Sequence, residues 1–127
     1  MTIAEFLLLT GRVILGVFFV IAGIRNTLHF SERKAMATNY GWTLPAFVMA
    51  LGFASQFIGG LSVALEIYPA WGAALLIVFL VSATLPYHNF LIFEGDERLP
   101  HLYFTLVNIA LCGYCMIIIG LVFAAQN

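Results

Sequence analysis

Charge is what this sequence lacks. Only 9% of its 127 residues are charged, five Lys or Arg against six Asp or Glu, where a soluble domain carries about 25%. So few charges cannot clothe a water-facing surface. With 63% hydrophobic residues, against roughly 45–50% in soluble chains, the chain calls for lipid as its solvent. A formal net charge of −1 excludes the basic footprint of a nucleic-acid binder, so no nucleic-acid partner is expected. Two cysteines are too few to staple a secreted domain. Also missing are a nucleotide-binding glycine loop, a flavin signature, an established metal cluster, internal repeats and low-complexity stretches.

What the sequence has instead is four long apolar runs. Residues 45–65, 70–93 and 99–125 carry no formal charge, and residues 3–24 carry only Glu5 and Arg12. A helix needs about 20 apolar residues to cross roughly 30 Å of hydrocarbon. Backbone groups in lipid must be satisfied within the segment, and runs this long make helices rather than barrel strands. The expected fold is all-α, a four-helix transmembrane bundle forming one integral membrane domain over 1–127, with helices at about 3–24, 45–65, 70–91 and 101–125. The first run has no basic segment before it and no small-x-small cleavage site leading into a soluble domain, so a retained helix is expected rather than a secretory signal.

The connections are uneven: a polar stretch from Arg25 to Leu44, a sharp turn at Glu66–Pro69, and Glu94–Pro100. Arg25, Arg33, Lys34 and Arg98 fall in the first and third. The excess of Lys and Arg on cytoplasmic loops places those two connections in the cytoplasm and both termini outside, in a bacterial-type inner membrane. Trp42, Tyr68, Trp71, Tyr87 and Tyr103 lie near span ends, where interfacial belts form.

Helices in lipid approach closely through small residues. Gly16 and Gly23 on the first helix, Gly52, Ser55, Gly59 and Ser62 with Gly60 and Ala64 on the second, and Gly113 and Gly120 on the fourth are read as packing positions. Polar residues inside the spans are fewer and more telling. Arg12 stands about 14 Å into the first helix by its rise. It is read either as snorkelling outward toward Glu5 or as an anchor for an anionic group such as a quinone oxygen or a lipid head. Gln56 and Asn108 are read first as interhelical hydrogen-bonding glue. A ligand cavity would require them to converge with Arg12.

Pro86 interrupts the third helix and should kink it. Beside it lie Tyr87, His88 and Asn89, with His29 and His101 at the same end. Three histidines at one face suit a metal site or a proton relay, against the plainer reading of interfacial hydrogen bonding. No His-x-x-x-His pair supports a metal, and none is expected. His88 is the leading functional candidate, because a proline kink beside it can open a pocket. Cys112-x-x-Cys115 has redox spacing, but it lies mid-helix in an apolar run, away from the helix N-terminus and solvent that make such pairs reactive. Packing is the preferred reading.

Four motifs in order give the chain a family likeness. Gly11-Arg12-Val13-Ile14-Leu15-Gly16, Phe18 and Ala22-Gly23 resemble the first helix of the DoxX family of small four-helix membrane proteins. Gln56-x-x-Gly59-Gly60 resembles its second-helix Glu-x-x-Gly-Gly. Ala83-Thr84-x-x-Tyr87-His88-Asn89-Phe90 resembles its third-helix ending of Ala-Thr, two residues, an aromatic, His, Asp and Phe. Asn108-x-Ala110-Leu111-x-Gly113 resembles its Lys-Asn-x-Ala-Leu-x-Gly. The departures bear on function: the family's Glu is Gln56 here, its Lys after the first-helix glycine is Asn26 with Arg25 adjacent, and its helix-4 Lys is Val107. Losing those charges implies a simpler, more structural member, with Arg12 short of its acidic neighbour.

The resemblance implies association with quinone-linked sulfur oxidation or oxidative-stress complexes, and with no single activity. The leading expectation is a small accessory subunit that packs against, stabilises or anchors a larger respiratory or redox complex, with lipid and other membrane subunits, or further copies of itself, as partners. The alternative is a quinone-binding subunit of an oxidoreductase, with its head-group pocket near His88. Tyr87, His88, Asn89 and Asn26 would surround the head group, with Arg12 and Gln56 as further candidates. Quinone is the one cofactor this alternative requires. A transporter is disfavoured by four short helices without discontinuous repeats.

Overall fold

Thr2 opens α1 (Ile3–Leu28) with a capping box: the Thr2 hydroxyl accepts from the Glu5 backbone N–H, and Glu5 returns a bond to the Thr2 N–H. The helix runs four residues past the apolar stretch because its backbone ladder does not depend on apolar side chains. Arg25 and Asn26, expected in the first connection, are therefore helical. After a break at His29 comes a short α2 (Phe30–Ala35), so the first connection is not simply a polar loop. In the computed structural model, which describes residues 1–127, α3 (Ala46–Leu65), α4 (Pro69–Tyr87) and α5 (Arg98–Ala124) follow. No strand is formed, and four helices are long and apolar enough to cross a membrane.

The turn between α3 and α4 is built from two residues in the left-handed region, Glu66 at φ 59° and Tyr68 at φ 50°. Neither is glycine, so side-chain bonds must hold the turn. The Ser62 hydroxyl reaches across to the carbonyls of Ile67 (2.6 Å) and Tyr68 (3.1 Å). Pro69 then starts α4 at the position where a missing N–H costs nothing. Pro86 does not kink a continuing helix, as the sequence suggested. It stands in the last turn of α4, which stops at Tyr87 rather than reaching residue 91. The missing N–H weakens the final turn, and the Asn89 side chain accepts the Leu91 N–H to start a separate single turn over Phe90–Ile92. A second such turn, Gly95–Glu97, leads into α5 three residues earlier than expected.

The helices pack in the order α1, α3, α4, α5. Their shared core joins Leu15 and Phe19 of α1, Val63 of α3, Ala73, Leu76 and Leu80 of α4, and Cys115 and Ile118 of α5. The adjacent glycines of α3 explain its central place. Successive helical residues point about 100° apart: Gly60 faces the Gly16 carbonyl and Phe19 of α1, while Gly59 faces Leu76 and Gly72 of α4. One Gly-Gly step thus lets α3 approach two neighbours. Gly113 and Gly120 behave differently from the sequence reading, since a Cβ at either would meet nothing within 4 Å. Their helical spacing carried no information about which face α5 turns inward.

Candidate functional site

Polar side chains inside the spans form pairs at separate levels of the bundle. At the α3–α4 turn, Arg12 reaches Glu66, with Nη1 2.7 Å from Oε1. The expected neighbour Glu5 is instead committed to the α1 cap. The left-handed geometry at Glu66 ends α3, and its carboxylate meets a guanidinium that is only 17% exposed. Arg12 therefore does have an acidic partner, supplied by a turn rather than by a helix. Its Nε remains buried without a partner.

Toward the other end, Asn26 Nδ2 donates to Gln56 Oε1 at 2.9 Å, with Gln56 5% exposed. These are two of the three positions at which the sequence departs from the Lys and Glu of the DoxX resemblance, the third being Val107. The two departures are spatial partners, and they meet as a neutral amide pair. Asn108 Nδ2 donates to Thr84 Oγ1 at 2.8 Å, tying α5 to α4. Gln56 and Asn108 thus do not converge on Arg12; each has its own partner.

The histidine end is the richest in chemistry. The α4–α5 connection brings His88 opposite His101, with the two Nδ1 atoms 3.4 Å apart. Such a pair requires one Nδ1 to carry a proton and the other to accept it, so the two rings hold one bridging proton and leave Nε2 on each for a second partner. Phe93 stacks on His101 at 3.9 Å between ring centres, 5° from parallel, and Phe104 stacks on His88 at 4.9 Å. Thr105 fixes the backbone beneath them, its hydroxyl lying 2.7 Å from the His88 carbonyl and 2.8 Å from that of His101. His29 stands apart from this pair, 3.4 Å from Glu32.

The first connection folds over the end of α4. Asn39 N–H donates to the Pro86 carbonyl at 2.7 Å, and Asn89 Nδ2 donates to the Tyr40 hydroxyl at 3.1 Å. Beneath it the Tyr87 hydroxyl is buried without a hydrogen-bond partner, as is Asn39 Nδ2. The expected head-group set is accordingly divided: His88 lies with His101, Asn89 with Tyr40, Asn26 with Gln56, and Tyr87 carries an open donor. His101, Tyr40, Thr105 and Glu66 are the additions made by the fold. The first stood in the sequence as one of three histidines at the same end, and what the fold adds is its pairing with His88. Both cysteines are free thiols, and Cys115 is wholly buried in the core. No group of three or more His, Cys, Asp or Glu side chains comes together.

Among known proteins, the model of the DoxX family matches residues 7–89, which takes in Arg12, Asn26, Gln56 and the Tyr87-His88-Asn89 stretch that closes α4 and follows it. No curated protein and no solved structure matches the chain.

Proposed function

The chain belongs to the DoxX family, and from that premise we propose that it is a small accessory subunit that packs against and stabilises or anchors a larger membrane complex, respiratory or otherwise redox-active. The observation that supports this reading is the pairing of the in-span polar groups. Arg12 with Glu66, Asn26 with Gln56 and Asn108 with Thr84 each join two elements of the bundle. Such pairs hold helices together, with only Arg12 Nε among their buried polar atoms left without a partner. Outward, large apolar side chains such as Phe47, Trp71, Leu106 and Met116 are more than half exposed, a surface suited to lipid and partner helices. In the proposed arrangement the histidine end, which also carries Arg25, Arg33, Lys34 and Arg98, faces the cytoplasm of a bacterial-type inner membrane.

The test is extraction of the native membrane in mild detergent or nanodiscs, followed by native mass spectrometry. Co-migration with larger redox subunits at fixed stoichiometry is the expected result. Recovery alone, or as a homo-oligomer carrying bound quinone, overturns it.

One observation favours the second reading, a quinone-binding subunit: the buried, unpartnered Tyr87 hydroxyl directly before the His88–His101 pair. A quinone supplies a two-electron, two-proton couple when bound. On this reading Tyr87 donates to a carbonyl oxygen, Asn89 turns its amide from Tyr40 to the head group, and the imidazole pair holds and passes a proton at Nε2. His88→Ala then abolishes quinone-dependent turnover while the bundle stays assembled; retained turnover removes this reading.

A further inference from the structure

Between α1 and α3, at the histidine end, runs a groove of about 420 Å³. Its walls are Ile24 and Leu28 from α1 and Ala54 and Phe57 from α3. Its floor is Phe30 of α2, edge-to-face with Phe53 at 5.9 Å. The groove has a simple cause. Gly23 lets the backbones close on Phe57, where an added Cβ would come within 3.1 Å, and the small Ala54 one turn earlier along α3 leaves a trough that nothing in the chain fills. An apolar trough left empty forfeits dispersion contacts along its whole lining, so in a bilayer it takes an acyl chain.

What distinguishes this trough from ordinary lipid-facing surface is the charge carried within four residues of its lining on α1 and α2. Arg33 and Lys34 follow Phe30 by three and four positions, which on a helix places them on the Phe30 side. Arg25 precedes Leu28 by three on α1. None of the three has a carboxylate within ion-pair distance, since the chain's two pairs are Arg12–Glu66 and His29–Glu32. Arg33 also holds its Nε buried and without a hydrogen-bond partner, an unused donor three residues along α2 from Phe30. The remaining acids at this end, Glu94, Asp96 and Glu97, belong to the α4–α5 connection, whose turns pack on α5. Glu32, the one acid on α2, lies against His29.

We infer that this groove binds one anionic phospholipid, with an acyl chain against Ile24, Ala54 and Phe57 and the phosphate on Arg25, Arg33 and Lys34. Basic pockets between spans select anionic head groups in this way, and arginine forks match phosphate geometry. A second copy is a poorer occupant, because a twofold interface sets a surface against itself and would oppose the same three cations.

The test uses the full chain in nanodiscs of equal parts phosphatidylglycerol and phosphatidylcholine, released for native mass spectrometry. One phosphatidylglycerol per chain should be retained in preference to phosphatidylcholine. Each cation near a membrane surface is worth about fivefold in such binding, so Lys34→Gln, on an exposed side chain, should lower the preference by about fivefold, and Arg33→Gln with Lys34→Gln by about 25-fold. Ala50→Leu with Ala54→Leu, both at exposed positions facing the groove, should reduce retention of either lipid. Equal retention of the two lipids by the unaltered chain overturns the inference, as does a preference unmoved by the charge variants or retention unmoved by filling the groove. A lipid-free dimer that filling the groove dissociates would assign the groove to a second copy instead.

Discussion

Replacing Gly16 or Gly60 with alanine should loosen the bundle at its tightest seam. A Cβ on Gly16 would lie 2.6 Å from both the Ala64 Cβ and the Gly60 carbonyl oxygen, and one on Gly60 would lie 2.7 Å from the Gly16 carbonyl oxygen. Ordinary contact begins at 3.4 Å, so α1 must withdraw by about 0.8 Å. Backbone atoms cannot yield as a side-chain tip would. A gap of that size costs roughly a quarter to a half of the dispersion attraction across the seam, and overpacking of this kind typically destabilises by about 1–3 kcal/mol. Each kcal/mol moves the melting temperature of a chain this size by about 3–5 °C, which gives a fall of roughly 3–15 °C for either variant. Gly113→Ala is the control. It meets nothing within 4 Å and should hold or raise stability, by up to about 1 kcal/mol through the lower backbone entropy of alanine. The assay is thermal exposure of Cys115, wholly buried in the core, to a thiol-reactive dye in a Cys112→Ala background. The double variant Gly16→Ala/Gly60→Ala should lose less than the sum, because one withdrawal relieves both clashes. Melting of Gly16→Ala together with the unaltered chain, or an equal fall in Gly113→Ala, would refute the reasoning.

Three other outcomes follow from the polar pairs. Glu66→Gln should cost about 0.5–1 kcal/mol, because Glu66 is 64% exposed and exposed pairs are worth little. Its deficit in the same melting assay should shrink with added salt, and a salt-independent deficit would show that the turn, not the charge, is responsible. Gln56→Glu alone places a carboxylate at a 5% exposed site opposite an amide and should destabilise by about 3 kcal/mol or more. Adding Asn26→Lys should recover much of that loss, and a double variant no better than Gln56→Glu would refute their pairing. Asn108→Leu removes one interhelical bond and should cost only about 0.6 kcal/mol, visibly less than Gly16→Ala; a larger loss would mean that Asn108 does more than bind Thr84.

The pairing of Asn26 with Gln56 gives the family likeness a physical content. Each departure looked, by itself, like the loss of a charge. Together they form one neutral bond, which needs no counter-charge and avoids the desolvation cost of a buried ion pair. The pair links α1 to α3 with no ionisable side chain. That favours a holding role for this level of the bundle over a proton path.

Composition and the order of apolar runs determined the solvent, the helical class and the number of spans, because hydrocarbon imposes a one-dimensional constraint that can be counted along the chain. The Gly59-Gly60 step was also legible as a packing site. Helix ends were less so: Arg25 and Asn26 are polar yet helical, since the ladder of backbone bonds ignores the boundary that hydropathy marks. Tertiary structure alone decided which glycines pack, sending Gly16 and Gly60 into contact and leaving Gly113 and Gly120 open, because period along a helix does not fix its rotation about its axis. It alone decided the partners, too. Arg12 found Glu66 rather than Glu5, and His88 found His101 rather than Asn26, because residues distant along the chain become neighbours only when the antiparallel register of the helices is set by the close approach of their backbones.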